Sequence, residues 1–308
     1  MGLNLNSAKL LFDAKAAGVS FKKILTLGRQ SFSCHPVLFA EVAAQYGYSS
    51  KDLAWLGDTA PPYSDDLFRM LGAEEIAALD YSDYEGARIV CDLNLPIDRQ
   101  YAGSFDLVLD GGTLEHIFNF PLAIKNCMDL VKCDGRFFSI TPANNYCGHG
   151  FYQFSPELYF RILTADNGFM VEKATVWEER TYPAFYAVED PEAIKQRVEL
   201  VTQYPVLLMV QARKTHQVDR LATPQQSDYT QLWKQAAAAA PNTRPVGNGG
   251  LRSLKRRVLQ YVFDHYPHIS KPLLALGRWR QVQRLSFRQQ HGFRHLGGLS
   301  ARKDHGGL

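Results

Sequence analysis

Residues 104–142 constrain the fold more than any other stretch: SFDLVLDGGTLEHIFNFPLAIKNCMDLVKCDGRFFSITP. A short apolar run, 105–109, stops at Asp110-Gly111-Gly112, which is how a buried parallel strand ends at a ligand crevice. Ile117, Phe120, Ile124, Met128 and Val131 then recur every three to four residues, the period of a helix laid on a sheet. Asp134-Gly135 turns the chain into a second run of strand type, 136–141. Strand, helix and strand in this order make a βαβ unit, and a chain that contains one builds an α/β domain with a parallel sheet.

The flanking sequence extends this pattern. Residues 5–17 read as a leading helix, and Lys22-Lys23 introduces ILTLG, a strand ending at Gly28. A helix over 36–45 follows, then a short one capped by Ser64 and closed by Gly72. Two more strands, 76–80 and 87–91, each end in or beside an aspartate. Beyond the βαβ unit lies a glycine- and aromatic-rich loop, 143–154, and Ser155-Pro156-Glu157 starts a helix by cap-then-proline chemistry. Residues 168–177 and 205–213 read as strands, and between them Asp190 caps a helix expected to run over 191–202. The expectation is a Rossmann-like, seven-stranded, mostly parallel sheet with helices on both faces, its last two strands an antiparallel pair.

With 308 residues, 46% of them hydrophobic, the chain can bury a substantial core. The expected division is a domain over 1–214, a Gln-, Ala-, Pro- and Gly-rich linker over 215–250, and a basic amphipathic helical tail over 251–308. Charge separates these parts: the tail holds twelve basic and two acidic residues, the first 250 residues 22 basic and 29 acidic. In the tail Leu254, Val258, Tyr261 and Val262 lie beside Lys255, Arg256 and Arg257, and Trp279, Val282, Leu285 and Phe287 lie among Arg278, Arg280, Arg284 and Arg288. Such a helix suits an anionic membrane surface or the acidic body of its own chain. Nucleic acid ranks below both, since no recognition module accompanies the charge. No secretory segment and no stretch of roughly 18 apolar residues is visible, so a cytoplasmic protein is expected, peripheral at the inner membrane surface if the tail binds there. The five cysteines are odd in number and scattered, which predicts reduced, buried thiols. Cys127, Cys133, Cys147 and His149 match no zinc spacing, and no metal site is expected.

Three segments, in order, carry a family resemblance: FDLVLDGGTLEHI, LVKCDGRFFSITP and HGFYQFSPELYFRIL. Over roughly 23–213 the chain resembles the class I S-adenosylmethionine-dependent methyltransferases of the type 11 kind. The resemblance implies a seven-stranded sheet with a reversed last strand and S-adenosylmethionine as cofactor. By position it implies that Asp80 accepts from the cofactor ribose, that Asp92 and Leu93 lie beside the adenine, and that Asp110 and Gly111 lie at the methionine end. Leu114, Glu115 and His116 would border the reacting centre. The departure is the first strand-to-helix turn, LTLGRQSFSCHP, where Gly28 stands alone in place of a glycine-rich loop. Arg29 is the candidate to replace the missing backbone amides by pairing with the cofactor carboxylate.

His116 and His149 are the candidate general bases for an alcohol acceptor, since an imidazole suits proton removal near neutral pH. Asn144, Asn145, Tyr152 and Gln153 sit in a polar-aromatic loop suited to a hydroxyl-rich acceptor. Similar proteins often serve surface-polysaccharide or secondary-metabolite pathways, which makes a sugar hydroxyl the first acceptor to consider. Two other readings stay open. One is a non-catalytic member of the fold serving as a binding or scaffold subunit, its first turn having lost the glycines. The other is a nucleic-acid methyltransferase, against which DGGT stands where an aromatic tetrapeptide would mark base methylation.

Overall fold

The computed structural model describes residues 2–57, 62–180, 182–238, 267–287 and 291–299. Two strand residues, β1 (Leu3–Asn4), lead into helix α1 (Leu5–Ala16). Asn4 caps that helix: its side chain accepts from the Asn6 and Ser7 amides, while Ser7 Oγ accepts from the Asn4 amide at 2.7 Å. Strand β2 (Lys23–Leu27) follows, then β3 (Phe32–Ser33), which pairs with β1, and helices α2 (Pro36–Ala44) and α3 (Asp65–Met70). Next come β4 (Glu75–Asp80), β5 (Ile89–Val90) and β6 (Phe105–Asp110). Helix α4 (Phe120–Leu130) and β7 (Val131–Asn144) complete the βαβ unit.

The second half contains α5 (Pro156–Ile162), β8 (Phe169–Glu178), β9 (Ala184–Val188), α6 (Pro191–Ile194) and β10 (Val206–Lys214). Helices α7 (Ser227–Ala238) and α8 (Pro267–Arg284) and strand β11 (Phe293–Gly298) follow. One sheet gathers nine strands in the order β11-β9-β8-β10-β7-β6-β2-β4-β5. From β5 to β7 neighbours are parallel; β10 runs antiparallel to both β7 and β8. All seven expected strands are present, and the last of them is the reversed one.

Strand alternation splits the core into two layers. Leu25, Leu27, Val108, Phe137 and Leu208 face α4 and α5, whereas Ile24, Leu107, Leu109, Phe138 and Met209 face α1, α2 and α3. Helices α1, α2 and α3 thus cover one face of the sheet, where Phe12, Phe32, Phe39 and Trp55 form an aromatic cluster.

Three expectations need correction. The helix expected over 191–202 stops at Ile194, because Lys195 takes a left-handed conformation (φ 55°) and ends it. The tail is not wholly helical: residues 293–298 pair antiparallel with β9, and Phe287 stacks on Tyr186 with centroids 4.3 Å apart. Thus part of the basic tail docks on its own body, although Leu276, Trp279 and Val282 of α8 remain exposed. Leu254, Val258, Tyr261 and Val262 lie outside the described residues. Of the five thiols, all free, Cys127 alone is buried; Cys34 and Cys91 are half-buried and Cys133 and Cys147 exposed. Among the described residues no helix is long and apolar enough to cross a membrane.

Candidate functional site

Strands β4, β2 and β6 end side by side, and the turns after them share one crevice, as parallel sheets require. Gly28 takes φ +67°, which folds the chain back over the strand end. A Cβ built on it would lie 3.6 Å from Asp80 Oδ2 and 3.5 Å from Thr113 Oγ1, so the three turns meet here. Thr113 Oγ1 in turn donates to the Leu27 carbonyl at 2.8 Å. Half-buried Asp80 uses Oδ1 to accept from the Tyr81 amide at 2.6 Å. Its other oxygen faces Gly28.

Gln30 occupies the place where further glycines were expected. It is 4% exposed, its Nε2 donates to the Leu27 carbonyl at 2.6 Å, and its Oε1 is buried without a hydrogen-bond partner. The amide covers Gly111 so closely that a Cβ there would lie 2.1 Å from Gln30 Oε1. Arg29 points elsewhere: its guanidinium lies over the Tyr63 ring at 4.0 Å, donates to the Glu85 carbonyl and sits 3.5 Å from Asp65. Asp92 closes an Asx turn, its Oδ1 accepting from the backbone and side-chain nitrogens of Asn94, both at 2.8 Å. Leu93 and Leu114 are buried in the core layer that faces α4.

Two carboxylates, Asp110 at the end of β6 and Glu115 in the loop that follows, are fully buried, with opposite surroundings. Asp110 accepts from the Thr113 amide at 2.9 Å, from the Leu114 amide at 3.3 Å and from Ser139 Oγ at 2.7 Å. Ser139 also bonds Tyr159 Oη at 2.8 Å, and burial pushes that phenol well above its ordinary range. Burial raises the Asp110 pKa, and the donors hold the rise down. Glu115, on the 3-10 turn Leu114–His116, is 0% exposed, yet neither of its carboxylate oxygens has a hydrogen-bond partner. Burial first, and then the charge of Asp110, drive its pKa upward.

His149 comes to Glu115 from the loop after β7, Nε2 to Oε1 3.3 Å, and this Nε2 is also buried without a hydrogen bond. The loop is fixed there because the Phe151 and Tyr152 amides both donate to the Glu115 carbonyl, at 2.7 and 3.3 Å. The His116 ring stands edge-on to His149, centroids 4.9 Å apart. Burial and this neighbour lower its pKa. The structure therefore brings both candidate histidines together, around an acid that the resemblance placed at the border of the reacting centre without a task.

The polar loop residues are largely engaged in holding loops. Asn145 Nδ2 donates to the carbonyls of Thr202 and Tyr204, Asn144 Nδ2 reaches the Leu200 carbonyl, Gln153 Oε1 accepts from the Tyr146 amide, and Tyr152 Oη donates to the Phe118 carbonyl. The apolar members of this region are the ones left outward: Phe118 and Phe151, 73% and 66% exposed, form an edge-to-face pair at 5.9 Å. Sequence reasoning missed Gln30, whose signal was a bulky amide in a position that wants glycine. It placed Glu115 at the border of the reacting centre but gave it no task, since nothing in an acid flanked by Leu and His says that it is buried alone.

No family model and no curated protein matches the sequence. Solved structures that the chain matches include the Bacillus halodurans protein BH2331, at 10% identity and TM-score 0.38 over 70% of this chain and all of that one. A Burkholderia thailandensis 1,6-didemethyltoxoflavin-N1-methyltransferase, determined with S-adenosylhomocysteine, matches at 15% identity and TM-score 0.34 over 69% of this chain and 78% of its own. A Thermus thermophilus branched-chain polyamine synthase matches at 11% identity and TM-score 0.36 over 69% and 57%. Such distances leave the activity to be argued from this chain's own residues.

Proposed function

We propose that the chain is an S-adenosylmethionine-dependent methyltransferase acting on a hydroxyl of a small-molecule or carbohydrate acceptor. One observation carries this reading: a strand-end carboxylate, Asp80, and an orphaned buried acceptor, Gln30 Oε1, lie on either side of the Gly28 turn in one crevice. A vicinal diol asks for a carboxylate that accepts from both hydroxyls, and an α-ammonium asks for uncharged acceptors. The residues present thus fit the two polar ends of the cofactor. When bound, the cofactor supplies an electrophilic methyl group; everything else falls to this chain.

Asp80 and Gln30 would orient the donor, and the covered face of Gly111 admits backbone approach once the Gln30 amide yields. The Phe118–Phe151 pair offers an acceptor an apolar wall beside His116 and His149. The imidazoles would take up the proton that the acceptor hydroxyl loses. Positioning supplies most of the acceleration in a reaction of this type.

Isothermal titration and thermal shift with S-adenosylmethionine and S-adenosylhomocysteine test the assignment. Expected are saturable heat, a higher Tm at saturation, and affinity about 10–100-fold weaker in Asp80→Asn, with little change in its stability. Absence of heat and of any Tm shift in the wild type would overturn it. A second reading has its own observation: Gln30 packed onto Gly111 closes the methionine end, as in a chain that keeps the fold and has lost the cofactor. Binding by the wild type excludes that reading, and release of S-adenosylhomocysteine with hydroxylated acceptors completes the case for catalysis.

A further inference from the structure

We infer that Glu115, His116 and His149 form a binding site for one divalent transition-metal ion of the zinc type. One ligand atom from each of the three residues lies within 4.8 Å of the other two. Proximity alone would be weak ground. The stronger ground is that Glu115 is completely buried with both oxygens unpartnered, and that the His149 nitrogen facing it is unpartnered too.

A buried carboxylate without a partner is strongly disfavoured in its charged form, and among the described residues no Lys or Arg pairs with the Glu115 carboxylate. Asp110 at the end of β6 shows that this backbone can satisfy an acid with amides and a hydroxyl when the acid is structural. Glu115 receives none of this. The two imidazoles of His116 and His149 stand beside it instead, ring centroids 4.9 Å apart. A dication is the group that answers an acid and two neutral imidazoles at once.

The donor set fixes the class of ion. One carboxylate oxygen and two imidazole nitrogens suit zinc and its first-row neighbours, whereas magnesium and calcium take oxygen donors. Ligand atoms around tetrahedral zinc stand about 3.3 Å apart, since each bond is about 2.0 Å. The Glu115–His149 distance of 3.3 Å already meets this. His116, with its exposed ring, closes the remaining gap by turning about its side-chain bonds. Three protein ligands leave a coordination position open to an exogenous oxygen, the arrangement of catalytic rather than structural sites. The inference deepens the methyl-transfer reading, since an ion there would lower the pKa of an acceptor hydroxyl in place of a general base. It is measured without donor or acceptor, so either reading can fail alone.

The test uses the full chain without an affinity tag, stripped with chelator and titrated with Zn²⁺ or Co²⁺ against a chromophoric competitor. Because Cys133 and Cys147 are exposed thiols that would capture these ions themselves, the titrations are run in a C133S/C147S background. Expected are one equivalent of tightly bound metal, visible Co²⁺ ligand-field bands, and an increase in Tm on adding Zn²⁺. Affinity falls at least 100-fold in Glu115→Gln and in His149→Ala, and the Co²⁺ bands change in His116→Ala. Metal-free Glu115→Gln is expected to keep the thermal transition of the metal-free parent, and where it does, its loss of metal reads on the site. No binding at tenfold excess, or binding that is unchanged in Glu115→Gln and His149→Ala, would overturn the inference.

Discussion

Two acids five residues apart bracket the turn after β6, Asp110 at its entry and Glu115 at its exit, and both are wholly buried. At the entry two backbone amides and the Ser139 hydroxyl donate to the carboxylate; at the exit neither carboxylate oxygen has a hydrogen-bond partner. Burial therefore does not distinguish a structural acid from one that awaits a ligand, but the hydrogen-bond inventory does. The entry half holds β6, β7 and α5 together through Ser139 and Tyr159. The exit half spends its backbone on fixing the His149 loop and leaves its side chain unsatisfied.

Substituting the two acids is expected to give the largest difference. Asp110→Ala takes the acceptor from the Thr113 and Leu114 amides and leaves Ser139 Oγ with Tyr159 alone, and is expected to destabilise the protein by about 3 kcal/mol or more. Glu115→Gln in metal-free protein replaces a buried acid whose oxygens accept no hydrogen bond by a neutral amide of the same shape, and is expected to be neutral or stabilising. Chemical denaturation at neutral pH measures both. Equal losses at the two positions would break the contrast.

The pH dependence sharpens it. Burial pushes the Asp110 pKa up to about 6, above that of the unfolded chain, so the folded state holds its proton longer. The contribution of this group is thus fully present below about pH 4 and is lost as pH rises through the folded value. Asp110→Asn keeps the geometry: its carbonyl oxygen accepts from the Thr113 and Leu114 amides and its amide donates to Ser139 Oγ. Relative to wild type, the variant is expected to gain on the order of 2 kcal/mol between pH 4 and pH 8. A difference that stays constant over this window would show that the acid titrates as in the unfolded chain.

The sheet was legible because its signals are local and redundant: each apolar run of strand length ends in a turn residue, and 117–131 keeps a helical period. Strands β9 and β11 were not legible, since 293–298, FRHLGG, has neither alternation nor β-branched residues. It is a strand only because β9 offers it an edge. The helix end at Lys195 was hidden for a related reason, a left-handed lysine being invisible to pattern. At the site, the aspartates at strand ends and the two histidines could be read from position. The partnerless state of Glu115 and Gln30 is an outcome of packing between three turns, which no single segment encodes.

Gln30 supplies the smallest effect and the finest version of the contrast, because it is half satisfied: its nitrogen donates to the Leu27 carbonyl and its oxygen is alone. Gln30→Ala gives up one hydrogen bond and removes one orphan, two changes of about 1 kcal/mol each and of opposite sign. Stability is therefore expected to move by less than about 1 kcal/mol. If the lone oxygen is there to receive the ammonium of a bound cofactor, affinity for S-adenosylmethionine falls about tenfold in the same variant, as the loss of one hydrogen bond to a charged group requires. If the side chain is instead a plug over Gly111, affinity rises. Titration calorimetry on the variant separates the two, because opening the crevice and removing its acceptor change binding in opposite directions.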